Sequence, residues 1–419
     1  MLSRYWSRNE NKLLELPVPH LPYDYQTQLP PRLSEVGLPS WANEFGKEGL
    51  VPVPEQFIRN DLGPLWEQTD WWNVIFWYLN GTAERCYEQK HEVIHSYSSR
   101  LDGWNAVLWE KAWVNRIALF LRRWCARTFQ QQEQELFGEL PAPEILLTHD
   151  VDAVRKTPAI LLKQSLFNGY NVFRSLWRRE LDTTYSTFIK GINFLTQKAD
   201  YWRITEILDL EQQHNIRSYF NFYGGNFPGQ TLKQQLFDPA YSVLEPRIRD
   251  QVKNLIRRGW HIGLHQSFDS WRNSEKMAEE RERLEQAAGI PIRSCRQHWL
   301  RFSWADTWRA QQQAGFELDM TLGFNDRPGF RNGAALCFSP WSDEERREMQ
   351  IRAVPMILMD SQLFDYTQFT DADRIEELKK WINEVQSVFG IASVIWHQRT
   401  FSDDYNWGGA YQSLLQLLE

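Results

Sequence analysis

Two aspartates separated by one residue close a short apolar run, in residues 148–152 (THDVD). Side chains two positions apart in an extended segment point to the same side, with Cα atoms about 6.6 Å apart. At that separation one carboxylate can bind a cation while the other approaches a water molecule on it, as metal-assisted hydrolysis requires. An isolated pair of this kind can equally be a helix cap and a solvated loop residue, so it needs support from elsewhere in the chain.

A histidine and an aspartate four residues apart, His265 and Asp269, directly follow the apolar run WHIGL. If the chain turns helically there, positions i and i+4 lie on one face with Cβ atoms about 5–6 Å apart. Asp152, His265 and Asp269 would then form a nitrogen and oxygen ligand set suited to zinc or another divalent ion.

Two further groups stand at predicted strand ends. Arg296 can hold a carboxylate in a bidentate pair, although a purely structural ion pair is equally compatible with the pattern. His298 has the same strand parity as Arg296 and is a candidate contact for substrate or metal. His397, at the end of the last predicted strand, is a candidate proton donor because imidazole has a pKa of about 6.5; a buried structural histidine is the alternative.

The elements that must position these residues begin near residue 144, where short apolar runs alternate with helical periodicity. This alternation is typical of β/α units around a parallel sheet, and parallel β/α folds carry their sites at strand ends. We predict an α/β fold in which seven strands with crossover helices form a barrel. The predicted strands are 144–150, 217–224, 260–265, 293–299, 317–323, 350–360 and 392–397.

The first part of the chain has a different pattern, with a Pro-rich opening and amphipathic runs, one of them starting at Asp70 as a helix cap. Polar and Pro-rich residues 130–143 mark a boundary. We therefore predict two domains, a smaller and mostly helical accessory domain over 1–140 and the β/α barrel over 141–419. Residues 153–201 are expected to be a partly helical insertion over the mouth of the barrel.

Composition excludes several classes of protein. The formal charge is −7 and no basic stripe is present, which argues against a nucleic-acid partner. The most apolar run, residues 71–79, is too short to span a bilayer, and no secretory signal or CxxC pair is present, so we expect a cytoplasmic protein without a transmembrane segment. Aromatic residues reach 14% with 21 Trp, and flat rings are one way to bind sugars, although core packing is the commoner role for each.

The motifs TxDxD, GLHxSxD, RQH and WH, in this order at four strand ends, resemble the polysaccharide deacetylase superfamily, similar to family 4 carbohydrate esterases. The phrases LTHDVD, HIGLHQSFDS, RQHWLRF and VIWHQ are similar to a bacterial branch with an extra N-terminal domain that is often associated with surface-polysaccharide biosynthesis. The resemblance covers about residues 144–419. It implies a distorted seven-stranded β/α barrel that removes acyl groups from glycans.

The resemblance also implies roles. Asp150 matches the catalytic base, Arg296 the arginine that orients it, and His397 the acid; Asp152 and His265 match metal ligands. Where the family usually has a second histidine, this chain has Asp269, and His298 is a reserve ligand. The implied cofactor is a divalent metal, zinc first, with cobalt, nickel or manganese as alternatives. Candidate substrate contacts are His298, Trp299, Arg301 and Trp396.

We therefore expect a metal-dependent hydrolase that removes an N-acetyl or other acyl group from an amino sugar or surface-polysaccharide intermediate. The partner would be a carbohydrate: a sugar nucleotide, a lipid-linked sugar or an oligosaccharide. One alternative is an inactive glycan-binding or scaffold protein with the same fold, motivated by Asp269. The other, a metal-independent glycoside hydrolase using Asp150 and a second carboxylate, would survive a chelator.

Overall fold

The structure is a computed structural model that describes residues 2–419 except 24, 60, 158–159, 162–164, 166–168, 170–171, 174–175, 178–180 and 197–198. The chain divides into two compact units. The first contains Met1–Leu146, Trp271–Ser274 and Arg293–Val394, and the second contains Leu147–Ser270, Glu275–Ile292 and Ile395–Glu419. The predicted domain boundary near residue 140 stays a prediction.

The regular elements are numbered here in chain order. The strands of the described residues are β1 (Leu33–Gly37), β2 (Leu50–Pro54), β3 (Glu144–Val151), β4 (Tyr219–Tyr223), β5 (His261–Gln266), β6 (Ser294–Gln297), β7 (Leu318–Asp319), β8 (Trp341–Ser342), β9 (Arg347–Glu348), β10 (Arg352–Ala353), β11 (Met356–Met359) and β12 (Ile391–Ile395). The α-helices are α1 (Leu65–Gln68), α2 (Trp71–Leu79), α3 (Thr82–Lys90), α4 (Trp113–Thr128), α5 (Glu133–Phe137), α6 (Leu181–Thr196), α7 (Ile204–Gln213), α8 (Leu232–Phe237), α9 (Pro246–Arg257), α10 (Ser274–Ala288), α11 (Thr307–Gln313), α12 (Asp360–Phe364), α13 (Asp371–Ser387) and α14 (Gly408–Gln416). Short 3-10 helices cover Glu10–Glu15, Ser40–Phe45, Glu55–Phe57, Ser98–Arg100, Ala106–Trp109, His298–Leu300 and Gln398–Phe401.

The main sheet confirms the predicted α/β fold. Eight strands are ordered β10-β7-β6-β5-β4-β3-β12-β11, and the pairs β3·β4, β4·β5, β6·β7 and β7·β10 are parallel. The central strands are buried along most of their length, as expected for a parallel sheet covered by helices on both faces. All seven predicted strands are present, and the eighth arises because one of them is divided.

The predicted strand 350–360 is two strands, β10 and β11, at opposite edges of the sheet. Val354 and Pro355 separate them. Proline has no N–H to donate to a ladder and therefore interrupts a strand. The carbonyl of Pro355 still accepts a hydrogen bond of 2.8 Å from the Ser393 N–H. Because only two residues join the two edge strands, the sheet curls and its edges approach each other, as in the predicted barrel.

The N-terminal region contains the predicted helices and one element that the sequence patterns missed. The Asp70 carboxylate accepts a hydrogen bond from the Asn73 N–H at 3.1 Å, which confirms Asp70 as the N-cap of α2. β1 and β2 form an antiparallel pair that was not predicted, because two of the five residues of β2 are proline. Within the described ranges, no helix combines the length and the apolar character needed to cross a bilayer.

Candidate metal and catalytic site

The first two candidate residues are positioned by the end of β3. Asp150 is its penultimate residue and is buried, whereas Asp152 lies one residue beyond the strand and is partly exposed. On the neighbouring strand β4, Asn221 is directly in register with Asp150. Its amide nitrogen donates a hydrogen bond of 2.8 Å to Asp150 Oδ1, which holds that carboxylate in one orientation. Sequence reasoning missed Asn221; the available signal was its polar side chain inside the apolar run YFNFY.

His265 joins these aspartates from the next strand. It lies on β5 opposite Tyr223 of β4 and is buried. Its Nε2 is 3.0 Å from Asp152 Oδ1, and its Nδ1 is 3.9 Å from Asp150 Oδ2. The ends of three adjacent parallel strands thus bring together three of the residues that the sequence singled out.

The segment after β12 contributes two further groups. His397 Nε2 is 3.5 Å from Asp152 Oδ2, and Arg399 Nη1 donates to the same oxygen. The two oxygens of Asp152 therefore face different partners: Oδ1 faces His265, and Oδ2 faces the two basic groups. Arg399 was not predicted, although its position two residues after His397 in WHQR was visible in the sequence.

The donor atoms present fit a divalent cation. Asp152 and His265, both in the second unit, each offer one ligand atom. The 3.0 Å between His265 Nε2 and Asp152 Oδ1 allows both atoms to contact one ion at bond lengths of about 2.0–2.2 Å. Imidazole nitrogen and carboxylate oxygen are the donors that zinc and similar ions use in catalytic sites.

Asp269, the predicted third ligand, is paired with a lysine. Its carboxylate oxygens are 3.1 and 2.9 Å from Lys233 Nζ on α8. The residues after β5 form a turn closed by a 3.1 Å hydrogen bond from the Ser270 N–H to the Ser267 carbonyl, so the helical i,i+4 geometry assumed from the spacing is not formed. Metal binding by Asp269 stays a prediction.

Arg296, Trp396 and Arg301, which the sequence also singled out, each contact a different residue. Arg296 on β6 is fully buried and donates to Ser393 Oγ at 3.4 Å; its role in orienting the base stays a prediction. Trp396 is buried with its ring 5.4 Å from that of Tyr411. The Arg301 guanidinium is 2.9 Å from His95 Nε2, and burial together with this cation lowers the pKa of His95 to about 3.

The turn that carries His298 has an unusual backbone. Trp299 has a φ of 57° and Leu300 a φ of 47°, in the left-handed region that residues with a Cβ rarely adopt. The turn is supported by its carbonyl contacts, since Trp299 O accepts from Ser96 Oγ at 3.0 Å and from the Asn325 amide at 2.6 Å. Strained backbone of this kind clusters at functional sites; a binding role for His298 stays a prediction.

A buried network lies behind the candidate base and acid. His149 precedes Asp150 and points to the other side of β3, where its Nδ1 is 2.6 Å from the carbonyl of Trp396, the residue before His397. Its Nε2 is 2.7 Å from Glu211 Oε1 on α7. The Tyr411 hydroxyl donates to the same carboxylate oxygen at 2.6 Å, and Trp260 Nε1 donates to the other at 2.5 Å. Sequence reasoning gave no role to His149, and it missed Glu211.

His149 lowers the pKa of Glu211. Its two ring nitrogens lie within hydrogen-bond distance of the Trp396 carbonyl and the Glu211 carboxylate. Burial alone would raise the pKa of Glu211. The hydrogen bond and electrostatic attraction of His149, with the hydrogen bonds from Tyr411 and Trp260, outweigh burial and hold that pKa below its ordinary value of 4.5. His149 and Glu211 thus form a buried hydrogen-bonded pair.

Replacing Glu211 by Gln is expected to lower the free energy of unfolding by about 1.5–3 kcal/mol at neutral pH, because the buried hydrogen bonds from Tyr411 and Trp260 lose their charged acceptor and His149 loses its carboxylate partner. Since the pKa of Glu211 is lowered on folding, its contribution is present above pH 4.5 and is lost as the pH falls through the lowered value. The difference between wild type and variant should therefore shrink in acid. Urea unfolding across this range measures it.

Glu206→Gln is a matched control on the same helix. Its carboxylate is about half exposed and lies 3.6 Å from Arg203, so its loss should change stability by less than about 0.5 kcal/mol. Equal unfolding free energies for Glu211→Gln and wild type would contradict a stabilising role of this buried hydrogen-bond network.

Comparison with known proteins gives the following. No protein-family model matches the chain, and no curated protein matches it. Among solved structures, a Mycobacterium smegmatis protein assigned as a polysaccharide deacetylase is 17% identical, with a TM-score of 0.38 over 66% of this chain and 86% of that one. The polysaccharide deacetylase Bc1974 from Bacillus cereus is 12% identical, with a TM-score of 0.31 over 66% and 87%.

A third similar structure is a mutant of BA3943, described as a family 4 carbohydrate esterase pseudoenzyme with restored activity. It is 10% identical, with a TM-score of 0.32 over 70% of this chain and 76% of that one. The chain is similar to polysaccharide deacetylases. These TM-scores are all below 0.5.

Proposed function

We propose that the protein is a metal-dependent hydrolase that removes an N-acetyl or other acyl group from an amino sugar or surface-polysaccharide intermediate. The observation that carries the proposal is the convergence of Asp150, Asp152 and His265 from three neighbouring strand ends, with His265 Nε2 3.0 Å from Asp152 Oδ1. A buried imidazole between two carboxylates combines a cation site with a separate base, which amide hydrolysis requires.

The ion would be held by Asp152 and His265, with His298 as the third ligand. A bound divalent cation supplies Lewis acidity, which polarises the substrate carbonyl and makes a nearby water more acidic. Arg399 would fix the carboxylate of Asp152 through Oδ2 and leave Oδ1 for the ion. Zinc is the first candidate because the donors are nitrogen and oxygen, with cobalt, nickel and manganese as alternatives.

Asp150 would act as the general base. Asn221 holds one of its oxygens, Oδ1, so the second oxygen, Oδ2, is the atom that takes a proton from the attacking water. His397 would act as the general acid, since its imidazole approaches Asp152 from the segment after β12 and can give a proton to the departing sugar amine. Arg296 would help to orient the base. Acetate and a free amino sugar would be the products.

Acetate release tests the proposal directly. We expect the purified protein to contain close to one divalent ion per chain, and to release acetate from at least one member of a panel of N-acetylated sugar nucleotides, lipid-linked sugars and oligosaccharides. A chelator should stop the reaction and added zinc or cobalt should restore it. Elemental analysis and an enzyme-coupled acetate assay provide the two measurements. Release of reducing ends that survives the chelator would instead support a glycoside hydrolase.

One observation favours a second candidate, a glycan-binding or scaffold protein without turnover. Asp269 stands where related proteins usually have a metal-binding histidine, and its carboxylate is paired with Lys233. Under this alternative the purified protein would be metal-free, and sugar binding would be the same with and without a chelator. Stoichiometric metal with no acetate release from the whole panel would also reject the hydrolase while leaving the cation site in place.

A further inference from the structure

Helix α6 exposes an unusual amount of apolar surface. Half of the sixteen large apolar side chains that are exposed in the described part of the chain fall within residues 173–195. Five of them belong to α6 and are called here the apolar face: Tyr185, Phe188, Ile189, Ile192 and Leu195. Monomeric soluble proteins rarely leave a contiguous apolar patch of this kind in water, so the apolar face indicates an interaction surface.

The apolar face is a stripe along one side of the helix. At about 100° per residue its five members cover about 120° of the helix surface, and Phe194 lies on the opposite side. The side chain of Tyr185 is 70% exposed, whereas Phe194 is 3% exposed and packs edge-on against Tyr405, with ring centroids 5.6 Å apart. The helix thus buries one side and presents the other to its surroundings.

Aromatic side chains extend the exposed surface before α6. Trp177 is 81% exposed and Phe173 is 64% exposed, and their ring centroids are 6.3 Å apart. Tryptophan and phenylalanine beside a helix with an apolar stripe are typical of segments that lie in the interface of a bilayer.

Residues 153–198, the sequence segment that contains α6, carry a formal charge opposite in sign to that of the whole chain. Residues 153–198 contain eight Lys and Arg and two acidic residues, a formal charge of +6, in a protein of formal charge −7. Lys156 pairs with Asp404, and the other seven basic residues of the segment, in sequence beside an apolar stripe, complement the anionic head groups of a bilayer. They disfavour a symmetric contact between two copies of the chain, because such a contact would place one +6 segment against another.

The inner side of α6 is attached to the segment that follows the candidate acid. Lys156 Nζ lies 4.1 Å from the Phe194 ring centroid and 2.8 Å from an oxygen of Asp404. Tyr201 donates to the same oxygen of Asp404 at 3.1 Å. Asp404 and Tyr405 come seven and eight residues after His397, so a surface that binds α6 would be connected directly to the segment carrying His397 and Arg399.

We propose that the apolar face of α6, with Trp177 and the positive charge of the sequence segment 153–198, docks the protein onto an anionic lipid bilayer. For the substrate this proposal rests on the proposed function: docking would bring the site to an N-acetylated sugar carried on a lipid. Docking itself needs no catalytic activity and is tested separately.

The test is sedimentation of the full chain with vesicles of two compositions, phosphatidylcholine alone and an equimolar mixture with phosphatidylglycerol. We expect binding to the mixed vesicles, weaker binding to the uncharged ones, and weakening by salt. The triple variant Trp177→Ser, Phe188→Ser, Leu195→Ser should bind the mixed vesicles at least roughly tenfold more weakly, because three large apolar side chains no longer enter the bilayer.

The control replaces three exposed apolar residues elsewhere, Leu236→Ser, Leu244→Ser and Ile290→Ser, and should bind like wild type. Failure of wild type to bind mixed vesicles, or equal binding by the α6 triple variant, would overturn the proposal. So would a wild-type dimer that the α6 substitutions convert to a monomer, since the face would then contact a second copy.

Measuring acetate release distinguishes failure of the docking proposal from failure of the proposed hydrolase function. If both hold, the α6 triple variant should release acetate from a soluble N-acetylated substrate at the wild-type rate and lose at least roughly tenfold on a lipid-linked substrate in vesicles. Vesicle binding without acetate release from any substrate would reject the hydrolase and keep the docking surface. Acetate release without vesicle binding would reject the docking surface and keep the hydrolase.

Discussion

Asp150→Asn is expected to reduce acetate release by roughly a hundredfold to ten-thousandfold while metal content stays at the wild-type level. The amide has nearly the shape of the carboxylate but cannot accept a proton from water, so the base is lost. Asp152 and His265 are unchanged, so the ion should remain bound. Steady-state acetate release together with elemental analysis of the same preparation checks both parts.

Asp269→Asn is the matched control for this variant. It makes the same chemical change four residues after His265, at a carboxylate paired with Lys233, and we expect it to keep both metal and turnover. Wild-type turnover in Asp150→Asn would reject Asp150 as the base. Loss of metal in that variant would instead make Asp150 a ligand.

Metal affinity should depend most strongly on His265. Loss of a residue that merely supports a metal ligand typically weakens binding 10–100-fold, so His265→Ala, which removes a ligand, should weaken binding by more than roughly a hundredfold. Competition with a chromogenic chelator gives the affinity, and circular dichroism shows whether the variant is folded. Unchanged affinity in folded His265→Ala would show that the ion, if present, is bound elsewhere.

The same measurement decides the third ligand. The proposed third ligand is His298, whereas the Asp269 carboxylate is paired with Lys233. His298→Ala should therefore weaken metal binding as His265→Ala does, whereas Asp269→Ala should leave it unchanged. The opposite result would assign the ligand to Asp269 and require the turn after β5 to rearrange when metal binds.

Much of the fold could be predicted because it depends on local patterns. The apolar run of β5 and the cap at Asp70 act over a few residues, and each has the predicted structure. The prediction of a single strand over 350–360 was wrong in one respect, because Pro355 divides it. The sheet hydrogen bonds that this proline interrupts are formed with strands distant in sequence. Residues 350–360 by themselves therefore could not show at which edge of the sheet β10 and β11 would lie.

The sequence by itself determined that Asp150 and Asp152 stand together at a strand end and that His265 ends another strand, because spacing of one or two residues sets local geometry. Only the tertiary structure decided that Asn221 holds Asp150, that Arg399 holds Asp152, and that His265 lies beside Asp152. These partners are tens to hundreds of residues apart in the chain. Their proximity follows from the order and register of the strands, which depend on the packing of the whole sheet.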